Sequence, residues 1–250
     1  MKFSKANSKL KKLYHATSLD NWLGTNIGRK SAKVYSFDLL SGVKCPFAKL
    51  CRSKAVVAED GRRSIQDGPH TEFRCFSASQ EVLFTNVYNS RKSNSDAIDA
   101  AGDADSIFEG LQNALPVDAR VVRIHVSGDF STQEYFNAWV LLANANPEVL
   151  FYAYTKSLRF WLGRRESIPK NLVLTASRGG VDDDLIEEHG LRSAKVVFSK
   201  QEAGDLGLEI DDDDSHAADP TKADQDFALL IHGVQPKGSE AAAALRVLAR

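Results

Sequence analysis

Six short runs rich in β-branched and aromatic residues alternate with helical patterns along this chain. The runs lie at residues 34–39, 121–127, 150–155, 172–177, 195–199 and 227–232. Several of them are almost entirely apolar, as is typical of parallel strands that are covered on both faces. The helical patterns lie at 72–92, 97–114, 131–145, 158–166, 182–190 and 239–249. This alternation predicts right-handed βαβ units, so we expect an α/β fold. The expected architecture is a full or partial (β/α) barrel of about six parallel strands, with an open doubly wound sheet as the alternative.

The helix predicted at 131–145 has the clearest local signals. Tyr135, Trp139 and Leu142 fall on one stripe at positions i, i+4 and i+7. Ser131 or Thr132 is suited to cap its first turn. By contrast, residues 61–69 and 211–220 carry glycine, proline and acidic residues, and we predict that both are long mobile loops.

Charge is unevenly placed although the net charge is only -1. Residues 1–33 hold eight Lys or Arg and one acid, whereas residues 205–226 hold nine acids and one Lys. We therefore divide the chain into a basic N-terminal arm, 1–33, and a single barrel-like α/β domain, 34–250. Such an arm is either a solvated tail or a source of weak, salt-dependent contact with nucleic acid.

Composition and cysteine count bear on the cellular compartment. A hydrophobic content of 43% supplies a sizeable core. The chain has only three cysteines, and this odd number leaves one thiol unpaired, which argues against a secreted disulfide scaffold. The basic N-terminus is not followed by an apolar segment, and no run of 18 apolar residues occurs. We expect a cytoplasmic protein with no membrane partner.

All three cysteines fall near the end of the first predicted strand. Five residues separate Cys45 from Cys51, and 23 separate Cys51 from Cys75. A closed structural metal site normally has four protein ligands, so three cysteines predict a metal or cluster site with one open position. The long gap is no obstacle, because closing it costs only about 1.8 kcal/mol more than closing a three-residue gap. His70 is an alternative fourth ligand that would favour a closed zinc site, and three merely reduced thiols are the plainest reading.

Polar residues recur where the predicted strands end, and parallel strands bring these ends to one edge. Three of the hydroxyl residues are followed directly by a cation, which predicts a small anionic ligand bearing phosphate or carboxylate. The alternative is that each cation pairs with acids of the next helix. Catalytic roles are predicted for His125, Asp129 and Lys156. The predicted ligand-binding residues are Ser127, Gly128, Asp129, Thr155, Lys156, Ser177, Arg178, Ser199, Lys200 and His232.

Seven stretches resemble a family of mostly actinobacteriophage proteins known as gene product 88-like. They are residues 6–10, 35–39, 45–46, 75–78, 125–130, 151–156 and 232–236. The resemblance covers most of the chain and implies a phage protein in the cytoplasm of an infected bacterial host. It implies little about biochemistry.

A second resemblance, limited to two sites, is to radical S-adenosylmethionine enzymes. These have a partial barrel, three cysteines after the first strand that bind a four-iron cluster, and a glycine-rich turn after the second strand for the cosubstrate. The three cysteines and the turn Ser127-Gly128-Asp129 match these features, although the cysteine spacing is five and 23 residues instead of three and two. The resemblance implies a 4Fe-4S cluster bound by Cys45, Cys51 and Cys75, with S-adenosylmethionine as the cosubstrate.

The sequence thus favours a phage-encoded iron-sulfur protein whose open iron faces an anion-binding cavity, and leaves open whether it is an enzyme. One alternative is a cluster-free phosphoesterase or nuclease that uses His125, Asp129 and His232 with a divalent ion near residues 211–214. Another is a nonenzymatic phage factor that binds a host protein or DNA.

Overall fold

Strands and helices alternate through most of the computed structural model, which describes residues 1–24 and 33–249. The strands are β1 Ser4–Lys5, β2 Val34–Phe37, β3 Ser53–Val57, β4 Arg63–Asp67, β5 Val121–Ile124, β6 Leu150–Thr155, β7 Leu172–Ser177, β8 Ser193–Val197, β9 Glu209–Ile210 and β10 Phe227–Leu230. The α-helices are α1 Asp20–Leu23, α2 Phe76–Leu83, α3 Thr85–Ala101, α4 Ala104–Ala114, α5 Gln133–Ala145, α6 Leu158–Leu162, α7 Asp184–Glu188, α8 Lys200–Asp205, α9 Ser215–Ala218 and α10 Glu240–Leu248. Short 3₁₀ helices occur at Leu10–His15, Thr17–Leu19, Arg165–Ser167 and Pro220–Lys222.

The described residues include one eight-stranded sheet in the order β1-β2-β5-β6-β7-β8-β10-β9. β1 is antiparallel to β2, and every other neighbouring pair is parallel. The six predicted strands correspond to β2, β5, β6, β7, β8 and β10, which lie side by side in chain order. The predicted α/β fold with a parallel sheet is therefore confirmed.

The sheet is not closed into a full barrel. Its edge strands, β1 and β9, have two residues each and are not paired with each other in the part of the chain described. Alternation of strands and helices gives the order of the strands but does not determine whether the edges meet. The sequence therefore could not decide between a closed and an open sheet.

Side-chain alternation along each strand divides the core between the two faces of the sheet. Val122 and Ile124 of β5 pack with residues of α3, α4 and α5, whereas Val121 packs in a second cluster on the other face. In α5, the predicted stripe of Tyr135, Trp139 and Leu142 is fully buried. The cap of this helix is Thr132, whose Oγ1 accepts a hydrogen bond of 3.1 Å from the Tyr135 N–H.

The N-terminal segment supplies much of the second cluster. β1 pairs with β2, and the buried side chains of Leu10, Leu13, Leu19 and Leu23 lie with Val34 and Tyr152. Residues 1–24 of the predicted basic arm thus pack on the sheet. Arg29 and Lys30, which also belong to that arm, lie outside the described residues.

Both loops predicted from composition contain secondary structure. Strand β4 occupies most of residues 61–69, because its polar residues pair with β3 in an antiparallel hairpin. Residues 211–220 contain α9, whose Ala217 and Ala218 pack against the sheet. The helix predicted at 72–92 is divided into α2 and α3 by the extended backbone of Phe84. The helix predicted at 97–114 is also divided. α3 ends just before Gly102, whose φ of 77° favours glycine, and Asp103 caps α4.

The burial of the N-terminal segment makes a direct prediction about stability. Leu13→Ala should lower the free energy of unfolding by about 2–5 kcal/mol, because it leaves a cavity beneath the sheet. Urea denaturation would measure the change, with the exposed neighbour Lys11→Ala as the control, expected to shift it by no more than about 0.5 kcal/mol. Equal stability of the two variants would show that the segment is not part of the core.

Candidate functional site

The loop that carries Cys45 and Cys51 is held against the carboxyl end of β7. The backbone N–H groups of Lys49 and Leu50 donate to the Gly179 carbonyl at 3.1 and 3.0 Å. The Val181 N–H in turn donates to the Phe47 carbonyl at 2.9 Å. These backbone contacts fix the cysteine loop at the edge of the sheet where the parallel strands end.

The hairpin β3–β4 brings the third cysteine back to the same place. Its base pairs Ser53 with Asp67, and the Gly68 N–H donates to the Arg52 carbonyl at 2.6 Å. Just beyond the hairpin, the Glu72 N–H donates to the Leu50 carbonyl at 2.9 Å. The segments next to Cys51 and Cys75 are therefore adjacent although 23 residues separate the two cysteines.

The loop after β10 holds the segment around Cys75 from the other side. The Gln235 side-chain oxygen accepts from the Arg74 N–H at 2.7 Å, and its amide nitrogen donates to the Arg74 carbonyl at 3.0 Å. The His232 ring lies over Phe76, with 4.7 Å between ring centroids. Gly233 has a φ of 81°, and a Cβ there would lie 2.6 Å from the Phe76 Cβ, so this contact requires glycine.

All three cysteines are reduced and half-buried. Burial raises the pKa of Cys45 well above its usual value, and Asp129, Cys75 and Cys51 raise it further. Burial, followed by the neighbouring Cys51, raises the pKa of Cys75 to about 11. The three thiols are therefore close enough to affect one another electrostatically. Without a cation, Cys45 and Cys75 stay protonated at neutral pH.

Backbone N–H groups near two of the sulfurs lower the pKa of these thiols and so oppose the effect of burial. Gly42 lowers the pKa of Cys45, and Ser77 and Ala78 lower that of Cys75, because their N–H groups stabilise a thiolate. In the described part of the chain, however, no three His, Cys, Asp or Glu side chains come together as a group that could hold a metal ion. Cys45, Cys51 and Cys75 are thus gathered but not arranged around a single ion.

Asp129 links the loop after β5 to the end of β6. Its Oδ1 accepts from the Thr155 hydroxyl at 2.6 Å and from the Phe130 N–H at 2.8 Å, and its Oδ2 accepts from the Lys156 N–H at 2.8 Å. Burial raises the pKa of Asp129, while these hydrogen bonds act to lower it. Both carboxylate oxygens of this predicted catalytic residue, and the hydroxyl of Thr155, are thus engaged within the fold.

Ser127 and Gly128 also make internal contacts. The Ser127 hydroxyl donates to Glu81 Oε1 at 3.1 Å, and the same oxygen accepts from Arg91 at 3.1 Å. Gly128 has a φ of 86°, and a Cβ there would lie 2.7 Å from the Leu39 Cβ. The buried Glu81–Arg91 pair was not found from the sequence, because neither residue belongs to a recognisable motif.

Lys156 and Ser177 are a further pair of predicted binding residues whose side chains meet directly. The Lys156 Nζ donates to the Ser177 hydroxyl at 2.5 Å, across the ends of β6 and β7. Only 8% of Lys156 is exposed, so a cation is buried beside a neutral hydroxyl. Asp129 supplies the compensating charge, since Lys156 acts to lower its pKa.

The other predicted cations do not join Lys156. Arg178 binds Glu187 of α7 at 2.6 Å, as in the alternative in which each cation pairs with the next helix. The N–H groups of Gly179 and Gly180 donate to Asp183 at 2.7 and 2.8 Å, so an internal carboxylate occupies that turn. Ser199 and Lys200 lie at the start of α8. Ser199 caps this helix by accepting a hydrogen bond of 3.0 Å from the Glu202 N–H, and the side chain of Lys200 is exposed.

His125 is buried among aromatic rings. Its Nε2 lies 2.9 Å from the Tyr135 hydroxyl, and its ring packs edge-on against Phe130. Burial lowers the pKa of His125 to about 3, with a further contribution from Arg123. The backbone of this residue is left-handed, with a φ of 71°. The imidazole is therefore neutral at physiological pH, and the catalytic role of His125 stays a prediction.

A second charged cluster lies on the other face of the sheet. Asp214 is fully buried and binds Lys9 at 2.9 Å, the Tyr152 hydroxyl at 3.0 Å and Arg123. Burial alone would raise its pKa, but Arg123 and Lys9 outweigh it and lower the pKa to about 2. These two cations already neutralise Asp214, so within the acidic run at 211–214 this carboxylate is not free to bind a divalent ion.

These features define an α/β protein whose mostly parallel sheet gathers three reduced cysteines at the ends of its strands. The chain belongs to the gene product 88 family, since the family model for gene product 88 matches residues 1–249. No curated protein and no solved structure matches the chain, so the resemblance to radical S-adenosylmethionine enzymes gains no support. Among the described helices, none has both the length and the apolar character needed to cross a membrane.

The low pKa of Asp214 predicts how stability depends on pH. An acid whose pKa is lower in the folded state than in the unfolded state, where it is about 3.9, stabilises the fold above that value. This contribution, about 2 kcal/mol, should disappear as the pH falls from about 4 to about 2. The difference in unfolding free energy between the wild type and Asp214→Asn should therefore shrink over this interval. A difference independent of pH would contradict the assignment.

Proposed function

We propose that this protein binds an iron-sulfur cluster, of the 4Fe-4S type, through Cys45, Cys51 and Cys75. The observation that carries the proposal is the convergence of the three thiols, each held at one edge of the sheet by backbone contacts. The hydrogen bonds of the cysteine loop to Gly179 and of Gln235 to Arg74 hold these segments together. We further propose that the protein acts in the cytoplasm of a phage-infected host.

A cluster and a single ion place different demands on the three sulfurs. Around one tetrahedral metal with bonds of about 2.3 Å, ligand sulfurs lie within about 4 Å of each other. In a cluster each cysteine binds a different iron, so the sulfurs must stand further apart. Cys45, Cys51 and Cys75 influence each other's pKa, as is expected of thiols that lie near one another, and we propose a cluster as their ligand. The N–H groups near Cys45 and Cys75 would stabilise metal-bound thiolates.

Three cysteines leave one iron of such a cluster open. The turn at residues 127–129 and the buried Lys156–Ser177 pair are consistent with a molecule that binds beside this iron through an anionic group. S-adenosylmethionine is the cosubstrate that the radical-enzyme resemblance implies; it carries a sulfonium and an ammonium group, and its carboxylate is the one anionic group that a buried lysine could bind. Lys156 would attract and orient that charge, while Asp129 would act through its contacts to Thr155 and Lys156.

The alternative of a metal-dependent nuclease has less support. It needs several free carboxylates and imidazoles, but both oxygens of Asp129 accept hydrogen bonds and Asp214 is neutralised by Lys9 and Arg123. His125 is buried beside Tyr135. A nonenzymatic factor that binds DNA through the basic arm also has less support, because Lys9 is paired with Asp214 and the leucines of this segment pack on the sheet.

Anaerobic purification followed by iron and sulfide analysis tests the proposal. The expected result is a brown protein with about four iron and four sulfide per chain. The triple variant with Cys45, Cys51 and Cys75 changed to Ala should lose this content. Val43→Ser, an exposed change in the same loop, should keep it. A colourless wild type after reconstitution, or an unchanged iron content in the triple variant, would refute the cluster. A change in the spectrum of the reduced cluster on adding S-adenosylmethionine would test the cosubstrate separately.

The hydrogen bonds of Gln235 to the backbone of Arg74, next to Cys75, give a second testable prediction. Gln235→Ala removes hydrogen bonds to both backbone groups of Arg74, each worth about 1 kcal/mol. The rate of iron loss to a chelator should therefore rise about tenfold or more. Gln201→Ala, on the exposed side of α8, is the matched control and should lose iron at the wild-type rate. Identical rates of iron loss for both variants would show that the Gln235 hydrogen bonds do not position Cys75.

A further inference from the structure

A cavity lies at the edge of the sheet opposite the cysteines, where β7, β8 and β10 begin side by side. Its volume is about 490 Å³, which is in the range of sites that bind small molecules. It is lined in part by the first residue of β7 and by residues that come before β8 and β10: Leu172, Leu191, Arg192, Pro220 and Ala223. The cavity therefore shares no residue with the candidate site at the cysteines.

The side chains that line this cavity are either apolar or cationic. The apolar ones include the half-buried ring of Trp161, and the cations are Arg165, Lys170 and Arg192. Among the described residues, no side chain with a carboxylate, hydroxyl or amide group lines the cavity. Arg165 and Lys170 are exposed, and within the same part of the chain neither forms an ion pair. The cavity thus combines an apolar wall with positive charge.

Arg192 is a buried cation whose hydrogen-bond acceptors are all neutral. Only 5% of this residue is exposed. Its Nη1 donates to the His216 carbonyl at 2.9 Å, and its Nη2 donates to the Thr175 hydroxyl at 2.6 Å. Its other acceptors are the backbone carbonyls of Leu174, Ala217 and Lys222. The guanidinium is therefore held in place without a carboxylate in contact with it.

One donor of the Arg192 side chain is unused. In the part of the chain described, its Nε is buried and has no hydrogen-bond partner. Burial lowers the pKa of Arg192, and neighbouring acidic groups such as Asp219 and Asp226, which form no ion pair with it, only partly offset this effect. A buried charge without a counter-charge in contact is costly. An anionic group bound in the cavity would therefore stabilise the Arg192 guanidinium.

We propose that this cavity binds a small aromatic carboxylate. The ring of the ligand packs against Trp161 and the leucines of the wall, and its carboxylate is bound by Arg192, with Arg165 and Lys170 attracting it from the rim. The proposal does not depend on a cluster at the cysteines, because the cavity lies at the opposite edge of the sheet.

The lining decides between classes of anion. A nucleotide is a less suitable occupant, because its ribose hydroxyls and base edges need hydrogen-bond partners that the apolar and cationic side chains here do not supply. An inorganic anion would leave the apolar wall without a contact. A single carboxylate on an apolar ring matches both parts of the lining.

Calorimetric titration of the purified protein tests the proposal, with 2-naphthoate as the probe. Its uncharged amide, 2-naphthamide, has almost the same shape and should bind at least tenfold more weakly, because it lacks the charge that Arg192 compensates. Ala223→Trp fills the cavity from its exposed side and should weaken the binding of naphthoate at least tenfold. Ala243→Trp, an exposed change on α10 outside the lining, is the matched control and should bind naphthoate like the wild type.

Two further variants test the charges. Arg192→Met should abolish the preference for naphthoate over naphthamide. Because this change also leaves five internal acceptors unpaired, R165Q/K170Q gives a second test that leaves the interior intact. At low salt this variant should bind naphthoate about threefold more weakly and naphthamide unchanged, whereas K5Q/K11Q, which alters two exposed lysines outside the lining, should bind both like the wild type.

Three results would overturn the inference. Equal affinities of the wild type for naphthoate and naphthamide, or binding of neither, would show that the cavity does not recognise an aromatic anion. Equal binding of naphthoate by the Ala223→Trp and Ala243→Trp variants would place the binding site elsewhere. Octanoate bound more tightly than naphthoate would show that Trp161 does not select a ring. Because none of these titrations requires iron, their outcome is independent of the iron and sulfide analysis that tests the proposed function.

Discussion

The parallel pairing of strands that follow one another in the chain is the constraint on which the rest of this structure depends. Because β2, β5, β6, β7, β8 and β10 are neighbours in that order, the loops after them all emerge at one edge of the sheet. Those loops then bind each other, as when Gly179 accepts hydrogen bonds from the cysteine loop and Gln235 binds Arg74. The backbone segments that carry the three thiols are brought to this edge by these contacts.

The uneven charge of the chain has a structural use that composition does not reveal. The basic N-terminal segment and the acidic segment at 211–214 meet on the face of the sheet opposite α5. Lys9 binds Asp214 at 2.9 Å, and the Lys12 Nζ donates to the Asp212 carbonyl at 3.2 Å. Part of the charge expected to contact nucleic acid is therefore neutralised within the fold. This pairing, together with buried leucines, holds the N-terminal segment on the sheet.

The sequence predicted the elements whose signals are local. The bounds of β6 and β7 agree with their predicted runs to the residue, because strands buried on both faces are apolar throughout. It did not predict β4, which has one apolar residue, Ile65, and is a strand only because β3 pairs with it. The sequence also did not predict the hydrogen bonds between Gln235 and Arg74, because these residues lie 161 positions apart. Within the candidate site, the position of Lys156 and Ser177 at neighbouring strand ends followed from the sequence. Their direct contact, and the partners of Asp129 and Arg178, depend on neighbours that only the fold supplies.

Diffraction at the iron absorption edge from crystals of the anaerobically reconstituted protein would test the central claim most directly. The account predicts an anomalous peak at the carboxyl ends of β5, β6 and β7, within bonding distance of the sulfurs of Cys45, Cys51 and Cys75. It also predicts one iron that has no protein ligand and faces Lys156. Iron bound elsewhere, or three sulfurs that remain thiols while the crystal contains no ordered iron, would contradict it.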